Sequence, residues 1–166
     1  MMENAMNKVI QRALDIGITV PREIIEKEVR GIYGLFGVDD NNNAECFYIG
    51  RSYNIRNRLF DAKGHFRHYF HYLDELDVEG WKQKKKSILV PQLIKQCFDE
   101  NKKLEIRVLK RVPYEGDDYN RDMQRLAYAE ICEIEKAQKR GECMHQLPEG
   151  TWISEEIWNE KYKKTR

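Results

Sequence analysis

The sequence predicts an α+β domain whose helices surround a small β-sheet. Three observations carry that prediction. Residues 30–38 and 45–51 are strand-forming runs, with Ile32, Tyr33, Leu35, Phe36 and Val38 in the first and Cys46, Phe47, Tyr48 and Ile49 in the second. Between them lies Asp39-Asp40-Asn41-Asn42-Asn43, a cluster of turn formers, so the pair reads as a β-hairpin. Residues 103–112 intersperse Leu104, Ile106, Val108, Leu109 and Val112 with charged side chains and read as a third strand. Most of the remaining segments show helical spacing.

The chain opens with an expected helical arm over residues 1–29. Ala5, Val9, Ala13 and Ile16 recur at helical spacing, and Gly17 stands where that helix would end. A second helix is expected to start at Pro21, which needs no amide partner in a first turn. The arm is expected to pack on the following module or on a partner chain. After the hairpin, residues 54–62 form a basic helix capped by Asn54, with Ile55, Leu59 and Ala62 toward the sheet and Arg56, Arg58 and Lys63 nearer solvent. Residues 64–86 mix histidines and aromatics with acids and then lysines. Residues 87–100 form a helix that Ser87 can cap and in whose first turn Pro91 is tolerated. Residues 118–140 form a long helix that places Met123, Leu126, Ala127, Glu130, Ile131 and Ile134 on one side, leaving a carboxylate on an apolar face. Ser154 caps a terminal helix within residues 151–166.

Composition narrows the class. Hydrophobic residues make up 41% and charged residues 34% of 166, which suits one soluble domain with a real core. No run of about 18 apolar residues is present, so no membrane association is expected. Cysteines 46, 97, 132 and 143 form no C-x-x-C pair, and the N-terminus lacks a secretory signal pattern. A reducing cytoplasm is the expected location. The net charge is only +1, yet Arg51, Arg56, Arg58, Lys63 and Arg67 face one acid, Asp61, across residues 51–67, and Lys82, Lys84, Lys85 and Lys86 form a second basic cluster. Acids beyond about 10 Å do not cancel such patches at 0.1 M salt, so local phosphate contact remains open to this chain.

Gly31-Ile32-Tyr33, then Tyr48-Ile49-Gly50, then Arg58 ten residues after Tyr48, resemble the GIY-YIG endonuclease family. The ordered pair on two strands, followed by a basic helix with its arginine, carries the resemblance over about residues 30–150. It implies a three-stranded antiparallel sheet flanked by helices, with 64–86 as an insertion that carries specificity. It implies a metal-dependent DNA endonuclease that hydrolyses phosphodiester bonds in double-stranded DNA. A restriction-type enzyme is the expected member. A mobile-element or structure-specific nuclease, or a nucleic-acid-binding module without catalysis, is the alternative. Two-strand cleavage with one site per chain implies a homodimer or higher homo-oligomer on DNA. No large separate DNA-binding domain is expected.

The resemblance also implies roles. Glu130 holds one Mg2+ or Mn2+, with Glu133 as its rival on the same helix; a hard oxygen ligand suits such an ion. Arg58 contacts the scissile phosphate, with Arg56 as rival, because a forked, permanently charged donor matches phosphoryl oxygens. Tyr33 serves as general base with Tyr48 as partner, although either hydroxyl fits the motif. Gly31 and Gly50 permit close backbone approach. The further basic residue of the family is sought among His65, His68 and Arg51, since the position four past Arg58 is Ala62. His65, His68 and His71 are spaced to spread around a helix and do not suggest zinc. Arg51, Arg56, Lys63, Arg67, His68, Lys84, Lys85 and Lys86 are the expected nucleic-acid contacts. The asparagine of the family's loop is missing from 141–147, where His145 or Gln146 can substitute.

Overall fold

Asp39 closes the hairpin by accepting hydrogen bonds from the amides of Asn41 and Asn43, both at 2.9 Å. Asn42 between them adopts a left-handed φ of 63°, which asparagine tolerates. The computed structural model describes residues 2–75, 89–148, 150 and 153–164. Among these the order is α1 (Met2–Asp15), α2 (Arg22–Glu26), β1 (Gly31–Val38), β2 (Ala44–Ser52), α3 (Ile55–Phe60), α4 (His65–Glu75), α5 (Leu89–Asp99), β3 (Lys103–Arg111), α6 (Tyr119–Lys139) and α7 (Glu155–Lys161). The strands form one antiparallel sheet in the order β2–β1–β3, flanked by helices, so the chain is α+β.

Two bulges set which side chains share a face. Leu35 pairs with Tyr48 and the next residue, Phe36, pairs with Cys46, so Phe47 is the extra residue of β2. Without it, the alternation that sends Cys46 to one face would send Tyr48 there too. With it, Tyr48 joins Tyr33 and Leu35 on the opposite face. Leu109 is the corresponding extra residue of β3, since Ile32 pairs with Lys110 and Tyr33 with Val108. Leu109 packs with the other face, as alternation already places it relative to Leu104, Ile106 and Val108. Gly31 lies against β3 so closely that a Cβ would stand 2.1 Å from the Lys110 carbonyl oxygen.

Each face has its own core. The first packs Tyr33, Leu35, Leu104 and Ile106 beneath α1, α3, α4 and α5, through Met6, Ile10, Leu59, Phe60, Phe66, Phe70 and Ile94. The second is smaller: Ile32, Phe36, Cys46 and Ile49 meet Ala137 and Cys143, with Leu126, Ala129 and Ile134 partly buried against them.

The N-terminal arm packs on the sheet of its own chain. The Thr19 amide donates to the Leu104 carbonyl at 3.0 Å and the Ile106 amide to the Thr19 carbonyl at 2.9 Å. The caps expected at Asn54 and Ser154 form, and the structure adds one at Asp118, each side-chain oxygen accepting from the amide three residues on. Two expectations need correction. Helix α3 ends at Phe60, so Ala62 is exposed instead of facing the sheet. On α6, Met123 and Ile131 are exposed, and the packed line runs through Leu126, Ala129, Ile134 and Ala137. A three-stranded sheet is too narrow to cover the broad apolar side that the spacing suggested. No helix among the described residues is long and apolar enough to cross a membrane.

If α1 is part of the core, Ile10→Ala should cost about 2–5 kcal/mol, as for a buried large-to-small change. Leu14→Ala, at an exposed position of the same helix, should cost less than about 1 kcal/mol. Urea denaturation of the two variants checks this.

Candidate functional site

Tyr33 is wholly buried on the central strand, directly opposite Gly50. Its ring leans across β2, and a Cβ on Gly50 would stand 2.5 Å from the Tyr33 hydroxyl oxygen and 2.6 Å from Cζ. Gly50 is thus the residue that admits the ring. Tyr48, half-buried, packs beside it with ring centroids 6.2 Å apart.

A buried hydroxyl needs a partner, and His65 supplies one: its Nε2 lies 3.0 Å from the Tyr33 hydroxyl. The His65 ring also meets Tyr48 edge-on at 5.8 Å. His65 arrives here because α3 stops early. The Gly64 amide donates to the Asp61 carbonyl, and a Cβ on Gly64 would stand 2.5 Å from the Leu59 carbonyl oxygen. The turn therefore closes tightly and begins α4 at His65. Gly64 was missed in the sequence, although a glycine just before a histidine-rich helix was the available signal.

Charge converges on the same hydroxyls. Burial pushes the Tyr33 hydroxyl well above its ordinary pKa, as do Tyr48 and the Glu130 carboxylate, while Arg58 pulls it down. Burial likewise raises Tyr48, against Arg58, with Glu130 adding to the rise. Burial and the Arg58 charge, with a smaller part from His68, depress His65 from 6.5 to about 3, so its imidazole is neutral at ordinary pH. Arg58 itself is exposed. Its rival Arg56 turns the other way and donates to the Ile25 carbonyl at 3.2 Å.

Glu130 comes from the opposite side of the sheet. It stands on α6, part-buried, with Oε1 3.2 Å from Arg51 Nη1 on β2. Glu133 pairs instead with Lys136 at 3.3 Å. A cleft of about 670 Å³ along β2 is lined by Tyr48, Arg51, Leu89, Glu130, Glu135 and His145, among others. The site thus straddles the edge of the sheet: tyrosines, His65 and Arg58 from one face, Arg51 and Glu130 from the other.

Gln146 secures that edge. Its Oε1 accepts from the Ile49 amide and its Nε2 donates to the Ile49 carbonyl, both at 2.8 Å. The Gln138 side chain in turn donates to the carbonyls of Cys143 and Gln146 at 3.2 and 3.0 Å. Between the two residues considered in this loop, Gln146 fixes the strand and His145 lines the cleft.

Arg56, Lys63 and Arg67 line a separate groove beside α1, with Glu3 and Asp61. His68, on α4, is half-buried one turn beyond His65. Lys84, Lys85 and Lys86 lie outside the described residues, as do Lys82 and Ser87. No group of three or more His, Cys, Asp or Glu side chains suited to a metal occurs among the described residues. Glu130 alone still fits magnesium, which usually keeps several waters and takes one or two carboxylates plus substrate phosphates.

No family model matches the chain, and no curated protein or solved structure matches it either.

Two measurements check the geometry. Gly50→Ala should expel the Tyr33 ring and destabilise the fold by about 1–3 kcal/mol, as overpacking does; denaturation reads this directly. For His65, the unfolded chain takes up its proton near pH 6.5 and the folded chain only near 3. Its contribution to stability is therefore complete above 6.5 and is lost as pH falls from 6.5 toward 3. Wild type should lose up to about 1.4 kcal/mol per pH unit more than His65→Gln across that window. Denaturation at stepped pH checks the slope.

Proposed function

We propose that this chain is a metal-dependent endonuclease of the GIY-YIG type, hydrolysing phosphodiester bonds of double-stranded DNA. The observation that carries the reading is the convergence of Tyr33, Tyr48, His65, Arg58 and Glu130 at one edge of the sheet. Phosphodiester hydrolysis needs a water to lose a proton, charge on the phosphoryl oxygens to be balanced, and the leaving oxygen to be neutralised. Those side chains supply hydroxyl, imidazole, guanidinium and carboxylate for these tasks.

Tyr48 lines the cleft whereas Tyr33 is fully buried behind it. This supports Tyr48 as the hydroxyl that meets the attacking water, with Tyr33 as its partner; the resemblance implies Tyr33 as base, although either hydroxyl fits the motif. His65, neutral and held by Tyr33, fixes the orientation of that buried phenol. Arg58 is exposed and acts on both hydroxyls, which suits it to hold the scissile phosphate while keeping the phenols more acidic than burial alone would. Glu130 would hold the divalent cation. Bound there, Mg2+ or Mn2+ would supply Lewis-acid stabilisation of the phosphoryl and leaving oxygens. Arg51, Arg56, Lys63, Arg67 and His68 are the proposed further contacts to nucleic acid. Each chain offers one such site, so cutting both strands calls for a homodimer with two-fold symmetry.

Supercoiled plasmid is the substrate of choice for a test. Cleavage with Mg2+ should disappear with chelator and fall about 100- to 1000-fold in Arg58→Ala, the loss typical of one removed charge-stabilising group. Glu130→Gln should also lose activity. Discrete fragments would identify a restriction-type enzyme, and nicking or branched-DNA cutting a structure-specific one. Failure of wild type on every DNA substrate, with either metal, would overturn the proposal.

A further inference from the structure

Arg51 occupies the carboxylate that is proposed to receive the cation. Its Nη1 lies 3.2 Å from Glu130 Oε1, and both side chains remain partly open to the β2 cleft. A guanidinium on a carboxylate satisfies the charge that a divalent ion would otherwise seek. Arg58 adds a second positive charge whose influence reaches the same hydroxyls as Glu130. Arg51 is thus the guanidinium paired with Glu130, and Arg58 is a further positive charge beside the tyrosines. Among the described residues the other acid lining the cleft, Glu135, is paired with Lys139 at 3.5 Å. A guanidinium seated on the carboxylate attracts phosphate and disfavours a divalent cation at that oxygen.

We propose that Arg51 gates the Glu130 cation site, holding the carboxylate until a nucleic-acid phosphate draws the guanidinium away. The inference rests on the reading of Glu130 as the cation ligand. It adds an order of assembly: nucleic acid enters first, and the divalent ion binds well only afterwards. The physical basis is competition for two partners. Arginine pairs as readily with phosphate as with carboxylate, through the same forked donors. A phosphate in the cleft both removes Arg51 from Glu130 and adds negative charge beside it. By linkage, a duplex that strengthens cation binding must itself be bound more tightly when the cation is present. A free chain with a gated site would also sequester little metal.

Mn2+ binding to the full chain without nucleic acid, followed by electron paramagnetic resonance of the free ion, tests the gate without any turnover. Wild type should bind Mn2+ weakly. Arg51→Gln should bind about fivefold more tightly, the size expected for release of a partly exposed ion pair. Arg51→Lys, which keeps the charge, should stay near wild type. Adding Glu130→Gln to Arg51→Gln should abolish the gain. An independent arm uses a short blunt-ended duplex in chelator: Glu130→Gln should bind it more tightly than wild type, and less of that gain should remain when Arg51→Gln is added.

The outcomes separate two failures. If Mn2+ uptake depends on Glu130 but Arg51→Gln binds no more tightly than wild type, the gate is wrong and the cation site stands. If the gain persists in the double variant, or no form takes up Mn2+, the reading of Glu130 falls and the gate falls with it. Should Arg51→Gln not fold, Glu130→Gln in the duplex arm still decides: no tighter binding than wild type would overturn the gate.

Discussion

The Tyr33 hydroxyl, wholly withdrawn from water, constrains everything around it. A buried phenol without a hydrogen-bond partner is costly, and the chain meets that requirement with one histidine from a different element. To bring His65 there, α3 must stop at Phe60, the turn must close over Gly64, and α4 must begin at once. To let the phenol ring reach His65 at all, the opposing residue of β2 must lack a side chain, which Gly50 satisfies. To set the second tyrosine on the same face, β2 must carry one extra residue at Phe47. Each of these local features looks arbitrary alone. Together they are the conditions for one hydrogen bond and two neighbouring rings.

The edge of the sheet then becomes a place where two chemistries meet. Hydroxyls and imidazole lie on the well-covered face, and the carboxylate arrives on a helix from the other. Strand β2 is an edge strand, and such edges need covering. Here Gln146 and Glu142 accept from the β2 amides of Ile49 and Cys46, and Gln146 also donates back to Ile49. The loop after α6 thus holds the strand that carries Tyr48 and Arg51. A proposed nuclease needs this rigidity, because groups from two faces must keep their spacing as a phosphate enters.

Much of the fold was legible because its signals are local. The Asp39–Asn43 cluster, the caps at Asn54 and Ser154, and the apolar runs of β1 and β2 each act through neighbours in sequence. The convergence of Tyr33, Tyr48, Arg58 and Glu130 was expected only through the two tripeptides and the arginine spacing. What the sequence concealed was non-local. The bulge at Phe47 shows only once β1 and β2 are paired, so strict alternation would have put Tyr48 on the wrong face. Helical periodicity marked a broad apolar side on α6, but the width of the sheet decides how much of it is covered, and Met123 and Ile131 were left out. The Arg51–Glu130 pair joins residues 79 apart and leaves no trace in local pattern.

The central claim is that these residues form one phosphodiester site spanning the β2 edge. A crystal of Tyr48→Phe with a DNA duplex and Mn2+, examined by anomalous scattering, tests it most directly. The expected result is a manganese peak beside Glu130, a backbone phosphate against Arg58, and the Arg51 guanidinium turned from the carboxylate to phosphate. A duplex bound on another face of the molecule, or manganese away from Glu130, would contradict it.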